Sequence, residues 1–369
     1  MTKNIVVFAG TRPEIIKMAP VVRELRRREQ GQNRWKSHFC FSGQHLQLAV
    51  PLFEFFKLQP DSELQMMAPG QSLGQLTARG AQMLDCFFQE NSQTVAALVQ
   101  GDTTTAFVAA LCAFYHHIPV GHVEAGLRTP DIKEPFPEEL NRRLISKTAT
   151  WNYAPTPQAQ QNLLQEGVQK DSILMTGNTG VDAFEWASEN TKQVSTSAGT
   201  PLVLITIHRR ENIGEPLQRV CNAIAQLAQE FSQIEFLLPM HPNPRVKETI
   251  LTRLQGHSNI KLVEPLLYGD LVPLMNRALM LMTDSGGIQE EGPSLRKPVL
   301  VMRESTERPE AIEFGTSILV GSDEEKIVST ARDFLINKRQ LNLKGKSNPY
   351  GDGRAAPRIV DHLLSSLGL

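Results

Sequence analysis

Short apolar runs rich in β-branched residues alternate with longer amphipathic stretches along nearly the whole chain, and this alternation constrains the fold more than any other feature. Residues 4–9, 37–42, 94–99 and 119–123 are too short for core helices and too uniformly apolar for half-exposed strands, so they fit strands buried on both faces. Residues 14–28, 73–90, 103–116 and 138–148 carry the period of helices. Strand followed by helix, repeated, predicts a parallel sheet with helical crossovers. A strand at 172–175 and a helix at 181–189 lead into the polar stretch 190–200, NTKQVSTSAGT, which is poor in large apolar residues and reads as a linker. The alternation then restarts, with strands at 201–207, 234–238, 260–263, 278–283 and 298–302 and helices such as 215–231. The expected fold class is α/β: two doubly wound Rossmann-like domains facing a central cleft, with the hinge inside 176–200. A last helix at 355–367 follows the loop SNPYGDG, and periodicity does not say where it packs.

Bulk properties narrow the function classes. With 369 residues the chain can bury two sizeable cores. A formal net charge of -1 supplies no long-range field for nucleic acid or anionic lipid, so neither is expected as a partner and any anionic ligand must be caught locally. Cys40, Cys86, Cys112 and Cys221 lie far apart with no CxxC pair, which suggests reduced thiols. The opening MTKNIVVFAGTRPE enters a strand at once and leaves no room for an apolar signal core. No apolar run reaches membrane-spanning length, and a cytoplasmic enzyme is expected.

Three acidic residues stand where chemistry is expected: Asp102 in QGDTTT, Glu124 in GHVEAGLRT and Glu138 in PFPEELNRR. Asp102 and Glu124 each follow an apolar run, which puts them just past the C-terminal ends of buried strands, the rim where open α/β sheets bind ligands. Together they suggest a proton-transfer site.

Four strand-to-helix turns could hold an anion. GTRPEIIK ends a strand in a Gly turn with Pro13 near a helix start, so a phosphate could sit there beside Arg12 and Lys17; an ordinary turn with solvated basic residues is the plainer reading. TDSGGIQEE again runs into a helix, where Gly286 and Gly287 let backbone N–H groups approach a ligand and Ser285 adds a hydroxyl. Glu291, read on the first turn of that helix, either accepts from ribose hydroxyls or favours the helix dipole. TIHRRE brings His208, Arg209 and Arg210 together, and TERPE sets Arg308 before Pro309 at a helix start. Two such turns per half read as a grip on a diphosphate. His241 in MHPNP is either a ligand contact or part of a turn held by prolines. His116, His117 and His122 with Glu124 lack the HExxH spacing, so His122 reads as lining a strand end and no metal is assigned. The turns also lack GxGxxG and GxxxxGK[ST], so no dinucleotide or Walker-type site is assigned, and no cofactor is expected.

Taken in order, GTRPE, SGQH, GDTTT, GHVEAGLRT, PFPEELNR, TGN, HRREN, TDSGGIQEE, KPVLVMR, TERPE and NPYGDG closely resemble the non-hydrolysing UDP-N-acetylglucosamine 2-epimerases, from Val7 to Gly353. The resemblance implies a GT-B-like fold with the active site between the domains and the terminal helix packed back on the first. The domains would then be 1–175 plus 355–369, carrying the acid/base residues, and 176–354, binding UDP. It implies reversible conversion of UDP-N-acetylglucosamine to UDP-N-acetylmannosamine through elimination of UDP to a 2-acetamidoglucal and re-addition, supplying precursors for cell-surface polysaccharide. By motif match Asp102, Glu124 and Glu138 take acid/base roles, Arg12, Lys17, Arg142 and His208 stabilise the diphosphate, and Ser285, Gly286, Gly287, Glu291 and Arg308 hold UDP. Gln44, Gln47, Gln71, Arg210 and His241 match positions where bacterial members bind a second UDP-N-acetylglucosamine as activator. A homodimer is the expected assembly. Three positions depart from the family pattern: Gln100 replaces a common histidine, Leu271 replaces an aromatic residue against the uracil, and Arg296 replaces a glycine. Related chemistries remain open, namely a 2-epimerase of a 3-acetamido or uronic-acid UDP-sugar, a GT-B glycosyltransferase, or a non-catalytic sugar-binding protein.

Overall fold

The computed structural model describes residues 2–43, 46–191, 199–209, 212–336, 341–343 and 345–369, with only the backbone of 46–48. The chain forms two compact units, Met1–Ala183 with Tyr350–Leu369, and Phe184–Pro349. The crossing at Ala183 falls inside the 176–200 stretch.

The first unit holds a parallel sheet of seven strands in the order β3-β2-β1-β4-β5-β6-β7. The strands are β1 (Lys3–Ala9), β2 (Trp35–Phe41), β3 (Ser62–Glu63), β4 (Thr94–Gln100), β5 (Val120–Val123), β6 (Trp151–Ala154) and β7 (Ile173–Met175). Its helices are α1 (Arg12–Glu29), α2 (Leu46–Phe56), α3 (Leu73–Glu90), α4 (Thr104–Tyr115), α5 (Glu138–Thr148) and α6 (Pro157–Gln165), and α7 (Thr179–Asn190) leads out of it. The second unit holds a parallel sheet of six strands in the order β10-β9-β8-β11-β12-β13. These strands are β8 (Leu202–Thr206), β9 (Glu235–Pro239), β10 (Ile260–Val263), β11 (Met280–Thr283), β12 (Val299–Val301) and β13 (Ser317–Leu319). Between them run α8 (Glu215–Glu230), α9 (Pro244–Leu254), α10 (Tyr268–Arg277), α11 (Gly286–Leu295), α12 (Pro309–Phe314) and α13 (Glu324–Leu335), and α14 (Ala355–Leu367) returns to the first unit.

The uniformly apolar runs are the central strands. Ile5 to Ala9 of β1 and Ala96 to Val99 of β4 are fully buried, as crossover helices on both faces require. In each sheet the strand order reverses once, at β1/β4 in the first and at β8/β11 in the second. The loops after those adjacent strands leave toward opposite faces, so each reversal opens a crevice at the strands' C-terminal ends.

Helices 73–90, 138–148 and 355–367 and strand 260–263 form where the pattern places them. Helix α1 begins at Arg12 because Pro13 occupies its first turn, where a missing N–H costs nothing. The pattern does not mark β6 or β13. Strand β6 reads WNYA, with a fully buried asparagine breaking the apolar run, and β13 has three residues. Arg296, where the resemblance leads to an expectation of glycine, is the C-cap of α11 in the left-handed region at φ 53°. Glycine adopts that conformation without the cost a Cβ imposes. Here the Arg296 side chain donates to the Leu343 carbonyl at 2.6 Å, a contact glycine could not make.

Helix α14 docks through its start as well as its apolar face. The N–H groups of Ala355 and Ala356 donate to the carboxylate of Asp182, on α7, at 3.1 and 2.8 Å. Asp182 thereby serves as an N-terminal cap supplied from another helix. Asp182→Ala should lower stability by about 1–2 kcal/mol, read as a lower urea midpoint. An unchanged midpoint would mean that Ile359, Val360 and Leu363 hold α14 by packing alone.

Candidate active site

The loop after β1 and the loop after β4 meet at the first reversal. Glu14, buried in the first turn of α1, accepts from the N–H groups of Gly10 and Thr11 at 3.1 and 2.7 Å and from the Thr11 hydroxyl at 2.8 Å. Its other oxygen accepts from the Thr103 hydroxyl at 2.7 Å, tying the two loops together. Burial pushes the Glu14 carboxyl above its ordinary range, and these four hydrogen bonds oppose that shift. Glu14 is not among the residues that the motifs single out. The T-x-x-E signature of Thr11 and Glu14 could have found it, since the N3 carboxylate of such a box reaches back to the N-cap N–H.

Two expected carboxylates stand at neighbouring strand ends. Strands β4 and β5 are paired with Gln100 opposite Val123, so Asp102 and Glu124 both leave the same edge of the sheet. Asp102 accepts from Arg142 of α5 at 2.5 Å, and its backbone carbonyl accepts from Asn141 at 2.8 Å. Glu124 takes a left-handed backbone at φ 66°. It accepts from Lys17 of α1 at 2.5 Å and from the Gln100 amide at 3.2 Å. Arg142 and Lys17, expected on a diphosphate, are therefore both placed against the acidic residues. Glu138, half-buried at the first residue of α5, takes no hydrogen-bond or ion-pair partner among the described residues. Arg12 is the first residue of α1, beside the Gly10–Thr11 turn.

Behind Arg142 lies a charge chain that the motifs did not reveal. Glu139 is fully buried and accepts from Arg143 at 2.7 Å and the Thr129 N–H at 3.1 Å, with Arg142 at 3.3 Å. Glu166 accepts from Arg128 at 2.9 and 2.8 Å, and the Arg128 guanidinium holds its carboxyl below the usual range.

The second reversal has its own organiser. Asp284, directly after β11, is fully buried. It accepts from the N–H groups of His208 and Arg209 at 3.0 and 2.9 Å and from Asn212 at 2.9 Å. His208 Nδ1 lies 2.8 Å from the same carboxylate, which leaves Nε2 of this partly exposed ring for a ligand. Burial alone would raise the Asp284 carboxyl, but the His208 ring and the backbone donors hold it below its ordinary value. Ser285 is the N-cap of α11, yet its hydroxyl makes no cap hydrogen bond. With Gly286 and Gly287 as the first two helical residues, the start of α11 presents backbone N–H donors with no side chain of those two residues in the way. A Cβ on Gly286 would lie 2.6 Å from the Arg308 guanidinium carbon, so only glycine lets Arg308 lie across the helix start. Arg308 is fixed by Glu290 at 2.7 Å and Glu307 at 2.5 Å, and Glu307 is held strongly below its ordinary range, with Arg308 and Arg303 overriding its burial.

Glu291 differs from its expected setting. Helix α11 starts at Gly286, so Glu291 is its sixth residue, in the second turn, too far in for the dipole reading to hold. Instead Glu291 accepts from the buried Tyr268 hydroxyl at 2.8 Å. Leu271 stands on the same helix as Tyr268. Of the expected activator residues, Gln44 and Arg210 and the side chain of Gln47 lie outside the described residues. Gln71 donates to the Met66 carbonyl at 3.4 Å, and His241 accepts from the Asn243 N–H at 3.2 Å. Burial and nearby His208 lower the His241 pKa. No cluster of three or more potential metal ligands occurs among the described residues, and no described helix is long and apolar enough to cross a membrane.

These features define a class: a two-unit α/β protein of GT-B-like fold with charged groups collected at the reversal of each sheet. A family model described as UDP-N-acetylglucosamine 2-epimerase matches residues 27–364. The chain is 43% identical to the UDP-N-acetylglucosamine 2-epimerase of Yersinia pestis over 98% of both chains. It is 42% identical to that of Escherichia coli K12 over 99% of both. The crystal structure of the Neisseria meningitidis UDP-GlcNAc 2-epimerase bound to UDP-GlcNAc is 40% identical and superimposes with a TM-score of 0.91 over 99% of this chain and 100% of that one. The chain belongs to the UDP-N-acetylglucosamine 2-epimerase family and is an enzyme of that family.

The buried Asp284 makes a pH prediction. Its folded pKa is depressed, so its stabilisation is complete above the unfolded value, about 3.9, and is lost as pH falls through the lower folded value. Denaturant unfolding of wild type and Asp284→Asn should differ near neutrality and converge at acid pH. A constant difference down to the acid limit would show that the carboxylate's charge contributes nothing.

Proposed function

We propose that the chain interconverts UDP-N-acetylglucosamine and UDP-N-acetylmannosamine by inverting C2. A carboxylate removes the C2 proton. The C1–O bond breaks as C1=C2 forms, and UDP leaves with the electron pair. Delivery of a proton to the opposite face of C2 and return of UDP to C1 complete the change. This sequence needs carboxyl groups on both faces of one ring and a firm hold on the departing diphosphate. The supporting observation is the pair Asp102 and Glu124 on adjoining strand ends, with Glu138 at the start of α5. Lys17 and Arg142 fix the first two in place.

In the second unit, the α11 start, Ser285 and Arg308 suit a diphosphate, and His208 presents its outer nitrogen to the same crevice. Glu291, steadied by Tyr268, suits ribose hydroxyls. The crystal structure of the Methanocaldococcus jannaschii UDP-GlcNAc 2-epimerase in complex with UDP-GlcNAc and UDP, 31% identical with a TM-score of 0.84 over 98% of this chain and 99% of that one, supports carrying this ligand class over.

Incubation with UDP-N-acetylglucosamine in deuterated water should place deuterium at C2 and give a mixture containing UDP-N-acetylmannosamine, read by NMR. Free N-acetylmannosamine plus UDP would indicate a hydrolase, and absence of exchange would rule out this substrate. Asp102→Asn should lower turnover by about 10²–10⁴-fold with UDP affinity retained. Because its Cβ must displace Arg308, Gly286→Ala should weaken UDP binding by about tenfold or more, the scale of one lost charge-assisted hydrogen bond, as measured by calorimetry. Unchanged affinity would remove Arg308 from the nucleotide site.

A further inference from the structure

Three buried side chains beside the acidic loops carry polar atoms that no protein group satisfies. His122 on β5 and Asn152 on β6 are both fully buried and sit opposite each other in the strand pairing, on one face of the sheet. Arg142 is buried on α5, close enough that its charge, with that of Arg128, acts on the His122 ring. The unsatisfied atoms are His122 Nδ1, Asn152 Oδ1 and Nδ2, and Arg142 Nε and Nη1, the last in an ion pair with Glu139 at 3.3 Å but without a hydrogen bond. Native interiors rarely leave such groups unpaired, since each costs on the order of 1–3 kcal/mol.

The opposite edge of the His122 ring is engaged. His122 Nε2 lies 2.7 Å from the Gly101 carbonyl oxygen, which can only accept, so the proton is on Nε2 and Nδ1 is a bare acceptor. Gly101 immediately precedes Asp102, has a left-handed backbone at φ 70°, and donates its own N–H to the Val123 carbonyl at 3.0 Å. Both polar backbone atoms of Gly101 are thus fastened to the last two residues of β5, and Glu124 is the next residue along. The grip of β5 on Gly101 therefore sets Asp102 relative to Glu124.

We propose that His122 is a positioning residue for Asp102, and that an internal water shared with Asn152 and Arg142 keeps its proton on Nε2. A water matches four of these atoms: it donates to His122 Nδ1 and Asn152 Oδ1 and accepts from Asn152 Nδ2 and Arg142 Nε, while Arg142 Nη1 keeps its ion pair with Glu139. Any group that donates to Nδ1 disfavours the other tautomer, because a proton there would face a donor. Burial lowers the imidazole pKa to about 3, so the ring stays neutral and works by hydrogen bonding rather than by charge. The importance of Asp102 rests on the epimerase reading above; the tautomer and the water do not.

The test uses the full chain. In ¹⁵N NMR of the histidine-labelled wild type, with the signal assigned by its loss in His122→Gln, His122 should be neutral with the proton on Nε2. A proton on Nδ1 overturns the proposal, whatever the enzyme's activity. A high-resolution crystal structure should show an ordered water within hydrogen-bond distance of His122 Nδ1 and Asn152; a dry site overturns that part. With UDP-N-acetylglucosamine as substrate, His122→Leu should lower kcat by about 10²-fold, the scale of an ångström misplacement, with KM and UDP affinity little changed. His122→Gln, whose amide Nε2 can still reach Gly101, should recover most of that loss. Equal kcat in the two variants would reduce His122 to core packing. Failure of the wild type to turn over the substrate would instead sink the epimerase reading and leave the NMR and crystallographic results to decide the water and tautomer.

Discussion

A doubly wound parallel sheet reverses its strand order once, and the groups after β1, β4, β8 and β11 in this protein owe their placement to that reversal. Right-handed crossovers send the helices after β1 and β4 to opposite faces of the first sheet, and those after β8 and β11 to opposite faces of the second. The loops at each reversal diverge and open a crevice at the strand ends. Arg12, Glu14 and Asp102 fall on one such edge, and His208, Asp284, Ser285 and Gly286 on the other. Fold and site are one consequence of the same winding rule.

Bringing this much charge to a buried rim is costly unless it is paired. Both units solve the problem by pairing each charge with its opposite. In the first, Lys17 holds Glu124 and Arg142 holds Asp102. In the second, Asp284 holds His208, and Glu290 and Glu307 hold Arg308. A side chain already tied in this way loses little further entropy when a ligand arrives, so the pairing that makes burial tolerable also preorganises the site.

The sequence was most legible where one residue type has one physical use. Apolar runs located the central strands because only a two-face-buried strand needs them. Pro13, Gly286 and Pro309 located helix starts because each suits a backbone that side chains or N–H groups would otherwise obstruct. What the sequence concealed was partnership across distance. Lys17 and Glu124 are 107 residues apart, and Asp284 is 76 from His208; no local pattern links either pair. Glu139 sits beside Glu138 in sequence, but one turns into the core and the other to the rim, and only the phase of α5 distinguishes them. Asn152 hid β6 by making a buried strand look polar.

Moving a proton and holding a leaving group make different demands on a protein. A proton carrier must change its ionisation during turnover, so its side chain must be titratable and its surroundings must tolerate both states. A diphosphate grip should not change at all, and backbone N–H groups, hydroxyls and guanidinium meet that requirement because they do not titrate near neutral pH. In the proposed reaction Asp102, Glu124 and Glu138 of the first unit answer the first demand, and the α11 start, Ser285 and Arg308 of the second answer the other. On the second rim the His208 ring has the buried carboxylate of Asp284 beside its Nδ1. That carboxylate holds the ring through Nδ1 and also accepts from the N–H groups of His208 and Arg209, so one buried charge orients the whole loop after β8.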